Sequence, residues 1–321
     1  RNVSKNTIAS YRDSFVQFIN YMKDINGIPV ERLLLKHLTR DNVINYLQWL
    51  HNTKKNTSAT CNYRLAAIRS FCSYLQYIVI DNMVEWQSIL SIKAKKTEIS
   101  PPNYLSMEGI KLLLAQPDTT SWKGRRHLAL LSLMYDTGAR VQEIADLTVD
   151  CVRIDTTPYT IRLTGKGRKT RIVPLAEAQV DILRSYMEEN NLNDPNMMKK
   201  PLFFNGRHEK LTREGITYIL KIYADMANKQ QPEIIPKKIS CHSIRHSKAM
   251  HLLQAGVNLV YIRDILGHVS IQTTDIYARA DSKAKREALE NAYTRLTPNT
   301  ITEKEWERNK NLLEWLKGLG H

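Results

Sequence analysis

Residues 241–279 read CHSIRHSKAMHLLQAGVNLVYIRDILGHVSIQTTDIYAR. His242 stands three residues before Arg245 at the start of an apolar-periodic run, Ala249, Leu252 and Leu253, so both side chains project from one face of a helix's first turn. A guanidinium and an imidazole placed together in this way can hold an anion. The run stops at Gly256, and a second, Leu259 to Leu266, stops at Gly267 with His268 beside it. Nine residues further on is Tyr277, in a short segment that Thr273 or Thr274 is placed to cap. Tyrosine is a poor nucleophile at its free pKa near ~10, but cationic and hydrogen-bonding neighbours can activate it. The same neighbours stabilise charge that develops on a phosphate.

Working upstream, Ser106 opens a helix, and Arg126 to Tyr135 is strongly apolar and predicts a core helix ending at Thr137-Gly138. Arg140 then stands at the opening of ARVQEIADL with Glu143 three residues on, a spacing that by itself also fits an ordinary ion pair. The hydrophobic period next changes from 3.6 to about 2. Val152 to Ile154, Tyr159 to Leu163 and Thr170 to Val173 predict three short strands, the last two joined by the tight turn GKGRK with Lys166 at its tip and Arg168 and Lys169 after it. Ala176 to Glu189 predicts an amphipathic helix and Asn190 to Lys200 a polar loop. Thr212 caps a helix to about Asn228, with Arg213 available to a phosphate at its positively polarised start.

The ordered set HxxRH, LGH and TTDIY resembles the tyrosine recombinase family, the phage-integrase and Xer-type site-specific DNA recombinases. Singly, HxxR can be a helix-start salt bridge, LGH a helix end and the tyrosine packing; the order and spacing make the joint match specific. The resemblance implies Arg140 as a first catalytic arginine with Glu143 supporting it, Lys166 as general acid toward the leaving 5′-oxygen, and Tyr277 as nucleophile. His242 would take the tyrosine proton or donate to a phosphate oxygen, Arg245 would neutralise charge on the phosphate, and His268 would donate to the other oxygen. The product is a 3′-phosphotyrosyl link and a free 5′-hydroxyl. Strand exchange through a Holliday junction follows, with no metal, ATP or other cofactor, in the service of integrating or excising a mobile element. One departure from the family pattern follows RH: Ser247 is succeeded by Lys248, which is expensive to bury and is expected to face DNA or solvent.

The N-terminal segment is all helical in pattern. Ser4 or Thr7 opens a helix carrying Ile8, Tyr11, Phe15, Phe18, Ile19 and Met22; Thr39 caps a second and Thr57 or Ser58 a third; a short fourth runs Asp81 to Leu90. Arg64 and Arg69 lie outside the third helix's apolar stripe, as a DNA-contacting face or as solvated charges. The segment resembles the family's core-binding domain. KAKKTEISPPN, residues 93–103, lacks periodicity and reads as a linker whose Lys93, Lys95 and Lys96 are candidate phosphate contacts. The expected organisation is a helical core-binding domain (1–92), the linker (93–103), a catalytic domain (104–296) and a C-terminal helix (297–321). The fold class is mainly α with a small three-stranded antiparallel sheet.

Composition sets the outer limits. In 321 residues, 47 Lys and Arg against 32 Asp and Glu give a net charge of +15 and a pI near 9.6. The surplus is spread, 14 basic against 7 acidic in residues 1–98, 25 against 19 in 99–281 and 8 against 6 beyond, as suits a protein that encloses a polyanion from two sides. No apolar run approaches the roughly 20 residues of a membrane span, and no signal-peptide pattern appears, so a cytoplasmic, nucleoid-associated protein of a bacterium or phage is expected. Cys61, Cys72, Cys151 and Cys241 form no CxxC pair and read as reduced core residues. The chain begins at Arg1 without methionine, the mark of a processed or trimmed product that a further module can precede.

After Tyr277 come a charged helix, Ser282 to Tyr293, a break at Pro298, and a last helix with a Thr302/Glu305 capping box. Ile301, Trp306, Leu312, Leu313, Trp315 and Leu316 are too apolar to leave in water. They fold back or dock on a neighbouring protomer; the resemblance favours the second, in a homo-tetramer on double-stranded DNA with paired recombination sites, with accessory DNA-bending proteins as further partners. Two other classes compete: a type IB topoisomerase using the same residues without strand exchange, and a sequence-selective DNA-binding protein that does not cleave.

Overall fold

Helices at the N-terminal end follow the three- and four-residue recurrence of apolar side chains, and threonine hydroxyls start the second and third. The computed structural model describes residues 5–97, 101–268 and 270–280, with backbone alone at Lys5, Lys166, Arg279 and Ala280, and the chain divides into two compact units, Arg1–Ser100 and Pro101–His321. The expected helices beyond residue 281, the 297–321 segment and its packing in trans lie outside the described residues.

The first unit contains α1 (Lys5–Asp24), α2 (Arg40–Asn52), α3 (Ser58–Leu75) and α4 (Met83–Leu90). Thr39 and Thr57 cap α2 and α3 by accepting the backbone N–H of Asn42 and Thr60. The expected fourth helix from Asp81 begins two residues later, because Ile80–Asn82 winds as a 3-10 turn. Met22, Tyr46, Leu50, Ile68, Trp86 and Ile89 are fully buried between the helices, and Phe18 meets Tyr46 edge-on with ring centroids 5.1 Å apart. On α3, Asn62 grips the backbone of Lys95 from both sides, donating to its carbonyl at 2.8 Å and accepting its N–H at 2.9 Å.

The second unit contains α5 (Met107–Leu114), α6 (Trp122–Thr137) and α7 (Val141–Ala145), then β1 (Val152–Arg153), β2 (Thr160–Thr164) and β3 (Thr170–Pro174). After the sheet come α8 (Glu177–Glu189), α9 (Arg213–Gln230), α10 (Cys241–Gln254), α11 (Leu259–Leu266) and α12 (Asp275–Ala280). The strands form one antiparallel sheet in the order β1-β2-β3, with Val152 and Val173 both opposite Ile161. Ile161, Leu163 and Val173 turn into the core while Arg162, Thr164 and Ile172 face out, the period-two alternation of a half-buried sheet. Among the described residues the architecture is mainly α with this single small sheet, and no helix is long and apolar enough to cross a membrane.

Two local corrections follow from packing. Helix α6 starts at Trp122, a turn before the expected Arg126, with Ser121 as cap; a side chain at Gly124 would collide with the Asp118 carbonyl, so the low-propensity glycine that hid the start is required there. Lys248 does not stand open to solvent: its Nζ lies 3.2 Å from Asp136 Oδ1, both side chains being under one-fifth exposed, and 5.3 Å from the Tyr135 ring. An ion pair offsets the burial that made the residue look expensive. Neighbouring Ser247 is fully buried, accepting the Leu105 N–H at 2.8 Å and donating to Ser243 O at 2.9 Å.

Gly138 ends α6 in the left-handed region, φ 56°, and turns the chain toward Arg140. A Cβ there would stand 2.7 Å from Leu266 Cδ2. Gly138→Ala is therefore expected to destabilise the protein by more than about 1 kcal/mol, as measured by urea denaturation, with displacement of the Arg140 turn.

Candidate active site

Arg140 is the N-cap residue of α7, and its own N–H donates to Glu143 Oε2 at 2.8 Å. Its guanidinium donates to Glu143 Oε1 at 2.9 Å and to the Gly267 carbonyl at 3.3 Å. Glu143, 4% exposed, also receives a bidentate pair from Arg171 on β3, at 2.9 and 2.7 Å. Burial alone would push this carboxyl up, but the hydrogen bonds from Arg171 and Arg140 hold it down at about 2. Arg171 further donates through Nε to the Ile265 carbonyl at 2.8 Å. Gly267, φ 65°, closes α11 where a Cβ would press on the Arg171 guanidinium at 3.0 Å, so glycine is demanded both by conformation and by close approach.

Ser240 caps α10 by accepting the N–H of Ser243 and so fixes where the first turn begins. From that turn Arg245 is 1% exposed and donates to the carbonyls of Gly138 at 2.7 Å and Leu266 at 2.6 Å, while its buried Nε has no protein partner. Burial, with Arg140 adding repulsion, lowers its guanidinium to about 9. His242 is exposed at the same helix start, and the ring of His246, one turn on, lies 4.4 Å from it between centroids. His268 follows the α11 cap and shares a 3.0 Å hydrogen bond with the Thr274 hydroxyl, which occupies the group expected to cap α12. Burial and then the Arg245 and Arg140 charges push His268 down to about 4, leaving it neutral.

Tyr277, also 1% exposed, stacks along His268 with ring centroids 6.5 Å apart, and its hydroxyl meets His246 Nδ1 at 2.8 Å. Cations surround it as expected, yet they do not lower it: burial outweighs Arg245 and Arg140 and pushes the phenol up to about 12. The tyrosine is therefore held protonated in this arrangement.

A cleft of about 560 Å³ opens beside these residues, lined by Arg140, Lys169, Arg171, Arg263 and His268, with Asp264 as its carboxylate. The β2–β3 turn forms one wall: a Cβ on Gly165 would stand 2.9 Å from Glu143 Oε1. Lys166 follows Gly165 at that wall, while Gly167 (φ 76°) and Arg168 (φ 57°) take the left-handed turn. Arg140, Glu143, His242, Arg245, His268 and Tyr277 are thus brought together, and the backbone of Lys166 with them. Arg171 and His246 join the site beyond the residues that the motifs assign a role. Arg171 had a signal, since alternation places it on the inward face with Val173; so did His246, which recurs one helical turn after His242.

The candidate DNA contacts divide by exposure. Arg168, Lys169, Arg213, Lys93, Lys95 and Lys96 are exposed. Arg64 is half-buried, with Nη1 donating to Ser14 Oγ at 3.0 Å, so part of its fork is committed within the helical unit. Arg69 is half-buried at a depression with Ser73, Tyr74 and Tyr77.

Known proteins resemble the chain over nearly its whole length. The Phage integrase family model matches residues 103–284, and the Phage integrase, N-terminal SAM-like domain model matches residues 1–77. The putative integrase/recombinase y4rC of Sinorhizobium fredii is 32% identical over 319 residues, 99% of this chain and 93% of that protein. Tyrosine recombinase XerD of Listeria monocytogenes is 31% identical over 86% of this chain and 89% of that protein. Among solved structures, XerH site-specific recombinase bound to a palindromic difH substrate, in a post-cleavage complex, aligns with TM-score 0.68 at 25% identity, covering 90% of this chain and 80% of that one. With Arg140 and His268 lining a cationic cleft and the buried Tyr277 stacked along His268, the chain belongs to the phage integrase family and is a tyrosine recombinase.

Proposed function

We propose that the protein cuts and rejoins double-stranded DNA at paired sites through a 3′-phosphotyrosyl link on Tyr277, and resolves a Holliday junction to integrate or excise a mobile element. The observation that carries this reading is the placement of Tyr277 directly behind His268, which itself lines the cationic cleft with Arg140. A phosphodiester entering that cleft meets Arg140 and His268 at its non-bridging oxygens, and the exposed His242 is a further donor to it. Arg245, already anchored by two carbonyls, contributes positive field and its remaining donors. Lys166 protonates the leaving 5′-oxygen from the turn that abuts the Arg140–Glu143 pair. Because the phosphotyrosyl bond conserves the energy of the cut strand, rejoining needs no ATP.

Double-stranded DNA is the partner in this reading, with Arg168, Lys169, Arg213 and the lysines at 93, 95 and 96 on phosphates. A homo-tetramer linked by the 297–321 segment and a cytoplasmic, nucleoid-associated location complete it. Accessory DNA-bending proteins are further partners of the same scheme. The XerH complex supports DNA as substrate, since that relative is bound to its difH site.

Three measurements test the reading. On a nicked suicide duplex chosen by binding selection, wild type is expected to give a covalent protein–DNA band on a denaturing gel, undiminished by EDTA, and Tyr277→Phe none; strand-exchange products separate a recombinase from a topoisomerase. No covalent band on DNA that the protein binds would leave a non-catalytic binder. Lys169→Ala should weaken DNA binding evenly across sequences and reduce the salt slope of affinity by about 1. Glu143 links the site to pH: its folded pKa lies below the ordinary carboxylate value near ~4.3, so its stabilisation is present above that value and is lost as pH falls toward 2. Glu143→Gln should flatten this acid limb of stability and lower the cleavage rate through a displaced Arg140.

A further inference from the structure

We propose that His246, and not His242, is the group that takes the phenolic proton of Tyr277 when the strand is cut. The inference rests on the reading of Tyr277 as nucleophile and assigns a role at the same site. His246 Nδ1 is 2.8 Å from the Tyr277 hydroxyl, within direct transfer distance, and it is the hydrogen-bond partner of that hydroxyl among the described residues. His242 touches the His246 ring instead. The helix separates the two by depth: His242 is exposed at the first turn of α10, and His246, four residues on, is half-buried. The first is placed for the phosphate and the second for the nucleophile. Bulk water is a poor competitor for the proton, since Tyr277 is 1% exposed.

The phenol donates to Nδ1, so the neutral ring carries its hydrogen on Nε2. In the step, the Tyr277 Oη–P bond forms, the bond from phosphorus to the 5′-oxygen breaks, and the phenolic proton passes to His246 Nδ1, giving an imidazolium. The leaving 5′-oxygen receives its proton from Lys166 in the proposed scheme. Religation returns both protons.

The surrounding charge makes this base conditional on substrate. Burial, then His242 and Arg245, push His246 down to about 4, so without DNA the proton stays on tyrosine. A phosphodiester among Arg140, Arg245 and His268 supplies the missing negative charge and favours an imidazolium beside it.

The test uses the full chain and the nicked suicide duplex under single-turnover conditions, with DNA affinity measured alongside. His246→Ala is expected to form the covalent complex about 100-fold more slowly than wild type at unchanged DNA affinity. His246→Gln, which keeps a hydrogen-bonding side chain in the slot, should behave alike. Replacing Tyr277 by a trifluorotyrosine, whose phenol ionises without help, should shrink the His246→Ala defect to less than about tenfold. The His242→Ala defect should not shrink. His246 variants that cleave at the wild-type rate, or a defect that fluorination leaves whole, overturn the assignment alone, and rescue of His242→Ala by fluorination transfers the role to His242. A wild-type protein that gives no Tyr277-linked product overturns the nucleophile reading and this one with it.

Discussion

The buried carboxylate of Glu143, gripped by Arg140 and Arg171, is the contact on which the rest of the site depends. An unpaired carboxylate at that depth would cost several kcal/mol, and here four hydrogen bonds satisfy it: Arg140 donates one from its backbone N–H and one from its guanidinium, and Arg171 two more from the Nη pair it directs at both oxygens, while Gly165 leaves room for the turn beside them.

 The four bonds fall two at each carboxylate oxygen. Through them one side chain ties the start of α7 to β3, and through Arg171 Nε and Arg140 Nη2 it reaches the end of α11. Two guanidiniums are therefore fixed before any phosphate arrives, so little reorganisation remains for the moment of reaction.

Among the described residues Arg245 has no such carboxylate partner. It is buried against two carbonyls, and its charge acts on everything near it: burial and this field together keep His268 and His246 neutral, while Tyr277 stays protonated because burial outweighs the cations. The site is thus positive in excess, with its imidazoles and phenol in their neutral forms. A phosphodiester is the natural complement of such a field, since it relieves the repulsion among the cations as it binds.

Much of this was legible in the sequence where a local pattern carries the physics. The caps at Thr39, Thr57, Ser106 and Thr212, the change of period at the sheet, and the grouping of His242, Arg245, His268 and Tyr277 all follow from spacing within one element or along a few successive ones. What escaped depends on contacts between distant segments. Arg171 looks like an ordinary strand residue until Glu143 is brought opposite it, Lys248 looks too costly to bury until Asp136 is beside it, and the effect of cations on Tyr277 cannot be weighed before its burial is known. His246 shows the same limit within one helix, since its spacing gives the face but not the partner.

Two asparagines set the length of the tether between the units. Asn62 fastens the chain at Lys95, and on the other side Asn103 donates to the Lys238 carbonyl. The intervening stretch from Lys96 to Pro102 has a covalent reach of at most roughly 25 Å, at about 3.5 Å per residue. The upper limit of that reach is therefore set by where the two side-chain amides hold the backbone, and a single amide lost at either end would raise it.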